Sequence, residues 1–318
     1  MLVNLYKAKT PVSVFSLPLI IGLVCLALFF REPVTHVYFF KWQTDFFLGI
    51  QENTWLNFIL AGALISLNAH QLNNVFNRNN FYSKDTFLPG FIYVTGLATF
   101  ESIDFSPLLI AHLCMIGAMA ALLQLKRQEP DKNLIFIGSF SISVSIIFSP
   151  LLIVLVLLPW LALMITKPFN WREWMVAILG LSLPIFYHYI FNYLSTGTIQ
   201  PQRMDIILDS PDVTWTITQS ILYITASATI LLSIARFIGV MRSQLVNFKK
   251  ISQLTLLILF LSVLSFVIGW IFYSQFYLAF LLPLGYVISA QILYNEKSML
   301  SNILVMIWFI AAMINLYL

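Results

Sequence analysis

Long apolar runs recur from one end of this chain to the other, and no other feature restricts its fold as tightly. They lie at about 12–30, 54–71, 86–100, 105–124, 133–149, 151–166, 174–194, 214–236, 251–272, 275–294 and 300–317, eleven in all. A segment inside hydrocarbon must satisfy its own backbone N–H and C=O groups, so it is a helix or part of a closed barrel. Barrel strands alternate in polarity over roughly ten residues, whereas these runs are apolar throughout. An all-α bundle of membrane helices is therefore expected. Only 9% of the residues are charged, against roughly 25% in a soluble domain. The segments between runs are too short to fold as a soluble domain, so residues 1–318 read as one integral membrane domain. Run 133–149 reaches only about 25 Å as a helix, and 86–100 is shorter still. Length alone leaves open whether these two cross fully. The first run begins near Pro11 without a clear small-residue cleavage site, so it reads as a retained helix.

The charges give these runs a direction. With the N-terminus inside, fourteen Lys and Arg residues fall on the inner face, and only Arg31, Lys41 and Arg203 fall outside. That asymmetry fits the positive-inside rule and an odd number of crossings, with the C-terminus outside. The acids lean the other way: Glu32, Asp45, Glu52, Glu101, Asp104, Asp205, Asp209 and Asp212 fall outside. The net charge of +4 thus reflects sidedness and is not a nucleic-acid footprint. Both cysteines, Cys25 and Cys114, sit inside apolar runs, where a thiol behaves as a small hydrophobe.

Candidate chemistry gathers at the outer boundary. Residues 31–53, REPVTHVYFFKWQTDFFLGIQEN, are too charged to span and too apolar for an ordinary loop. Lys41, Thr44, Asp45 and Glu52 share one helical face, and Phe39, Trp42, Phe46 and Ile50 can share the other. That is the pattern of a helix lying in the interface. A carboxylate there, Asp45 or Glu32, could serve as a general base or hold a divalent cation on a phosphate, or the segment is a plain connector. Glu101 and Asp104 bracket a tight turn, with Asp104 placed to cap the next helix. Arg203, among three aspartates, suits phosphate capture. His36 and His188 fall on the same side, and His112 lies in the outer half of the fourth run. On the inner face, residues 68–85 are rich in Asn and read as a structured loop, with a polar vestibule or docking surface as the alternative. Gly138, Ser141, Ser145 and Ser149 share one face of run 133–149, which suits close helix packing.

The Asn-rich segment running into FYSKDTFLPGFIYV resembles an uncharacterised family of bacterial polytopic inner-membrane proteins, over the whole chain. A looser similarity is to the GT-C type glycosyltransferases, which take sugar from a polyprenyl-phosphate donor. It is carried by an acidic first outer loop after span one and by the helix pairs within FESIDFSPLLIAHLCMIGAMAALLQLKRQEPDKNLIFIGSFSISVSIIFSPLLIVLVLLPW. The terminal aromatic and proline-bearing SQFYLAFLLPLGYVISAQ completes it. The first loop lacks that superfamily's paired acids, with Asp45 the nearest match, and Gln275-Phe276 stands where a basic residue is usual.

That resemblance implies sugar transfer at the outer face of a bacterial inner membrane, within the cell envelope. Asp45 would be the base or metal-assisted activator of the acceptor, supported by Glu101 and Asp104, while Glu32, His36, His188 and Arg203 would bind substrate. Membrane lipids and a polyprenyl-linked donor would be its partners. A transporter or lipid flippase, and an accessory subunit of an envelope machine, are the alternatives. The first would need a continuous polar path, and the second a docking surface.

Overall fold

The computed structural model describes residues 2–8, 10–30, 41–125, 131–196, 217–244, 246–273, 278–294 and 299–317. Among these residues the chain is helical with no strand. The helices are α1 (Leu2–Tyr6), α2 (Pro11–Leu26), α3 (Lys41–Gln51), α4 (Thr54–Arg78), α5 (Leu88–Thr99), α6 (Pro107–Leu122) and α7 (Lys132–Phe148). They continue with α8 (Leu158–Thr166), α9 (Trp171–Thr196), α10 (Ile217–Ser243), α11 (Val246–Tyr273), α12 (Leu281–Tyr294) and α13 (Met299–Tyr317). Short 3-10 segments extend α2 over Ala27–Phe29, lead into α8 over Pro150–Leu157 and lead into α12 over Leu278–Phe280.

Among the described residues, each of the eleven apolar runs is largely covered by one of these helical stretches. Among the described residues five segments are long and apolar enough to cross a membrane: Pro11–Phe29, Trp171–Leu194, Thr218–Arg242, Phe248–Trp270 and Met299–Tyr317. The shorter apolar stretches are Leu88–Thr99, Pro107–Leu122, Lys132–Phe148, Pro150–Thr166 and Leu278–Tyr294. This inventory is compatible with an integral membrane protein. The most lipid-like surface is on α9, which exposes Trp171 near its start and Tyr187, Tyr189 and Tyr193 near its end. Trp171 and Tyr189 are separated by about 27 Å of helix, close to the roughly 30 Å of a hydrocarbon core flanked by aromatic belts.

Local chemistry starts these helices. Thr10 caps α2 reciprocally, its Oγ1 accepting from Ser13 N at 3.2 Å while its own N–H donates to Ser13 Oγ at 2.9 Å. Asn53 caps α4 by accepting from Leu56 N at 3.2 Å. Pro159 has no N–H to give to Leu155, and the stretch before it winds as a 3-10 helix. Its steeper rise lets Pro150–Thr166 span about 30 Å in place of about 25 Å.

Two short helices form the centre. Every residue of α5, and all of α12 up to Leu293, is buried. They run antiparallel: Gly285 of α12 faces the Pro89 carbonyl near the start of α5, while Leu281 covers Gly96 farther along. A Cβ on Gly96 would lie 2.5 Å from Leu281 Cδ2, so any larger residue there would force the Leu281 side chain to move. Small residues also set α7 between two neighbours. Gly138 meets Leu122 of α6, and Ser139 lies under Gly180 of α9. Ser143 Oγ donates to the Leu181 carbonyl at 2.7 Å. The Ser-rich helix is a packing element, as its spacing suggests.

The start and finish of the chain lie at opposite ends of the bundle. Tyr6 O accepts from Thr86 Oγ1 at 2.7 Å and from Phe87 N at 3.0 Å, beside the α4–α5 turn. Asn315 of α13 reaches the α5–α6 turn, and the Tyr317 hydroxyl donates to the Leu23 carbonyl. The end holding α3 and the α5–α6 turn is called the α3 end below.

The Asn-rich stretch departs from its sequence reading. Residues 68–78 belong to α4, and Asn68 and Asn73 are buried while Asn77 is half-buried. Asn73 Oδ1 accepts from Gly90 N at 2.7 Å. Asn77 exchanges two bonds with Thr86, each 3.1 Å. A loop reading weighs Asn by its taste for turns. Here Asn73 and Asn77 satisfy the backbone at the opening of α5 instead, and the helix persists.

Candidate functional site

At the α3 end, α5 closes in a Schellman motif. Ser102 N donates to Leu97 O at 3.1 Å and Glu101 N donates to Ala98 O at 3.3 Å. The motif needs a left-handed residue where Glu101 stands, and glycine is the usual occupant. Glu101 takes φ 58, a conformation costing roughly 1–2 kcal/mol for a residue with a Cβ. Its half-buried carboxylate accepts from Asn315 Nδ2 at 2.8 Å. Beside it, the ring of Phe100 lies 6.4 Å from Tyr223 and 5.9 Å from Phe280, forming an aromatic wall. Two residues before Glu101, Thr99 Oγ1 accepts from the Trp308 indole at 2.9 Å. Thus α13 is pinned along the end of α5, and Glu101 is held in place from both sides.

Asp104, three residues on, does different work. It is 2% exposed, and Asn57 Nδ2 donates to its Oδ1 at 3.1 Å. Asn57 Oδ1 accepts from Phe105 N at 2.8 Å, so one amide clips the turn to α4. The expected cap does not form: α6 starts at Pro107, with Ser106 in the capping position. Burial among partners makes Asp104 an anchor of the turn.

The helix expected around Asp45 is present as α3, but it is rolled from the face its polarity suggests. Its inward row is Gln43, Phe47 and Gln51, all buried, while Asp45, Phe46 and Leu48 are exposed. Gln43 Nε2 donates to the Ile147 carbonyl at 3.1 Å, and Gln51 Nε2 donates to the Phe105 carbonyl at 2.9 Å. The first of those carbonyls is among the four left open at the end of α7. Satisfying it turns the glutamines inward and carries Asp45 to the opposite face. Phe47 stacks toward Phe105 at 5.4 Å, which seats α3 beside the α5–α6 turn.

Of the remaining candidates, His188 lies half-buried on α9, its Nε2 3.0 Å from Asn192 Nδ2. That helix packs mainly on α7 and α8, so His188 is not brought to Glu101. Glu32, His36 and Arg203 fall outside the described residues, as do Asp205, Asp209 and Asp212. The structure therefore brings Glu101 and Asp104 into one turn, sets α3 against it, and leaves Asp45 facing outward. Among the described residues no three His, Cys, Asp or Glu side chains gather as a metal site.

A buried chain lies deeper, between α4, α5 and α6. Asn68 Nδ2 donates to Leu109 O at 3.0 Å and to the Tyr93 hydroxyl at 3.3 Å. The Tyr93 hydroxyl in turn shares a hydrogen bond with His112 Nδ1 at 3.0 Å. His112 Nε2 and Asn68 Oδ1 are left without protein partners. This triad holds three helices in register. Sequence reading named His112 but not its partners, nor Asn57, Asn315 and Trp308. Their signal was present only as polar residues inside otherwise apolar helices.

Comparison of the chain with protein-family models, curated proteins and solved structures gives no match.

Proposed function

We propose that this is a multi-pass protein of a bacterial inner membrane, with eleven crossings and its N-terminus inside, that transfers a lipid-linked sugar at the α3 end. The observation that carries this reading is Glu101. A glutamate occupies the position where the helix cap favours glycine, and its carboxylate is held by Asn315 beside an aromatic wall. Backbone strain of this kind clusters where a side chain is needed for function. The exposed face of α3, with Asp45 between Phe46 and the bundle's rim, suits the head of an amphiphile at the membrane surface.

In the proposed step, the Glu101 carboxylate takes the proton of an acceptor hydroxyl as that oxygen bonds to C1 of the sugar. The C1–O bond to phosphate breaks, and the lipid phosphate leaves with the electron pair. Asp104 fixes the turn from below. Asp45 sits at the lipid-facing entrance, and Arg203, Glu32 and His36 are the proposed contacts to donor and acceptor, while His188, packed on the α7 side, takes no part in the step. Glu101→Gly in cells tests this directly, because glycine relieves the cap while deleting the carboxylate. Protein level should hold while transfer falls on the order of 100-fold, read from surface glycans and polyprenyl-sugar pools. Unchanged glycans and pools would sink the proposal.

A second reading, transport, is favoured by one observation. Helices α5 and α12 are short, wholly buried and antiparallel, and each opens through a Pro-Gly segment, Leu88-Pro89-Gly90 and Leu282-Pro283-Leu284-Gly285. Paired short helices of opposite direction flank the substrate in many transporters. Sealed vesicles separate the two: transport moves a solute or lipid across without consuming a lipid-linked sugar.

A further inference from the structure

The end of the bundle away from α3 has two basic corners, and they are treated differently. At the first, Lys167 Nζ lies 3.5 Å from Asp131 Oδ2 and 3.3 Å from Glu173 Oε1, with all three side chains nearly buried. Its charge is answered within the protein. The second corner is the turn between α10 and α11. From Asp212 to Glu296 the sequence holds no other acid, yet it carries Arg236, Arg242, Lys249 and Lys250. Arg236 donates to Ser301 Oγ at 3.0 Å and is part of the helix packing. Among the described residues no ion pair engages Arg242, Lys249 or Lys250.

These three cations sit on a fixed base. Phe248 packs 6.2 Å from Phe81, 6.5 Å from Phe237 and 5.6 Å from Tyr294, ring centre to ring centre. It locks the start of α11 to the α4–α5 turn and the end of α12. Lys249 and Lys250 follow directly and are half-buried, the state of a lysine whose stem packs while its ammonium stays wet. Arg242, in the last turn of α10, is exposed. Moreover, Lys249 closes the first turn of α11 and Lys250 follows it, where the exposed N–H groups and the helix dipole favour an anion over a cation. A phosphate seated there would answer both the dipole and the lysines.

We propose that the α10–α11 turn binds the phosphate of an anionic phospholipid through Arg242, Lys249 and Lys250. The turn joins two long apolar helices, Thr218–Arg242 and Phe248–Trp270, each able to cross a membrane. Acyl chains can therefore lie along the same helices whose cations hold the head group. Juxtamembrane Lys and Arg residues draw anionic lipid in this way. The site is independent of the Glu101 reading.

Native mass spectrometry of the full chain in detergent, titrated with phosphatidylglycerol or phosphatidylcholine, tests the site. The native protein should retain phosphatidylglycerol preferentially. Combined Arg242→Gln, Lys249→Gln and Lys250→Gln should weaken that binding on the order of 100-fold, the product of about fivefold per cation. Arg242→Lys with Lys249→Arg and Lys250→Arg should keep it, and so should Arg172→Gln on α9. If the triple glutamine variant does not fold, each single glutamine variant should show its own fivefold loss. No preference in the native protein, or an equal preference in the glutamine variants, overturns the proposal. Displacement of phosphatidylglycerol by inorganic phosphate at equal concentration overturns it too, because the site would then be one for free anion.

Discussion

Helices α4 and α5 end in the same hydrogen-bonded cap, at opposite ends of the bundle, with different residues in the left-handed position. At the end of α4, Phe81 N donates to Phe76 O at 3.5 Å and Asn80 N donates to Asn77 O at 3.0 Å. The rings of Phe76 and Phe81 stack at 4.8 Å, the apolar contact that usually accompanies this cap. Asn80 has φ 52, and Asn tolerates that region because its short amide bonds locally. Glu101, with φ 58, has no such excuse. The α4 cap is thus explained by folding alone, whereas the α5 cap keeps a carboxylate at a cost to folding. The neighbouring bonds differ in kind as well: neutral amides brace the α4–α5 turn, while carboxylates hold the α5–α6 turn.

The comparison can be attacked from its strongest prediction downward. Asn57→Leu removes a buried bond to a carboxylate and one to Phe105 N, so it should cost about 3 kcal/mol, read as a fall in Tm in detergent. Asn77→Ala removes two neutral bonds at the other end and should cost about 1–2 kcal/mol. Equal losses from the two would erase the distinction between ends. Glu101→Gly should raise stability by about 1 kcal/mol. Asn80→Gly should change it by no more than about 0.5 kcal/mol. A destabilised Glu101→Gly protein would mean that the Asn315 bond outweighs the strain, and the carboxylate would then be explained by packing.

How much of this was legible beforehand depends on the distance over which each fact is decided. Helix α7 was readable because Gly138, Ser141 and Ser145 recur at helical spacing, a property of adjacent turns. That Lys41–Gln51 form a helix was also readable, but its roll was not. Gln43 finds its acceptor at Ile147 and Gln51 at Phe105, far along the chain, so polarity alone pointed the helix the wrong way. The Asn-rich end of α4 was misread as a loop for the same reason. Asp104 looked like a cap and is instead held by Asn57.

By itself, then, the sequence determined that the chain is an assembly of apolar helices. That property follows from neighbouring residues and from the backbone's need to satisfy its own hydrogen bonds away from water. Only the tertiary structure decided that α5 and α12 form the buried centre, and that Asn315, 214 residues away, reaches Glu101. Which polar groups meet across helices is a matter of packing geometry, and packing pairs residues that no local pattern connects. For the cap of α5, the sequence supplied the glutamate, and the fold put it in a glycine's place.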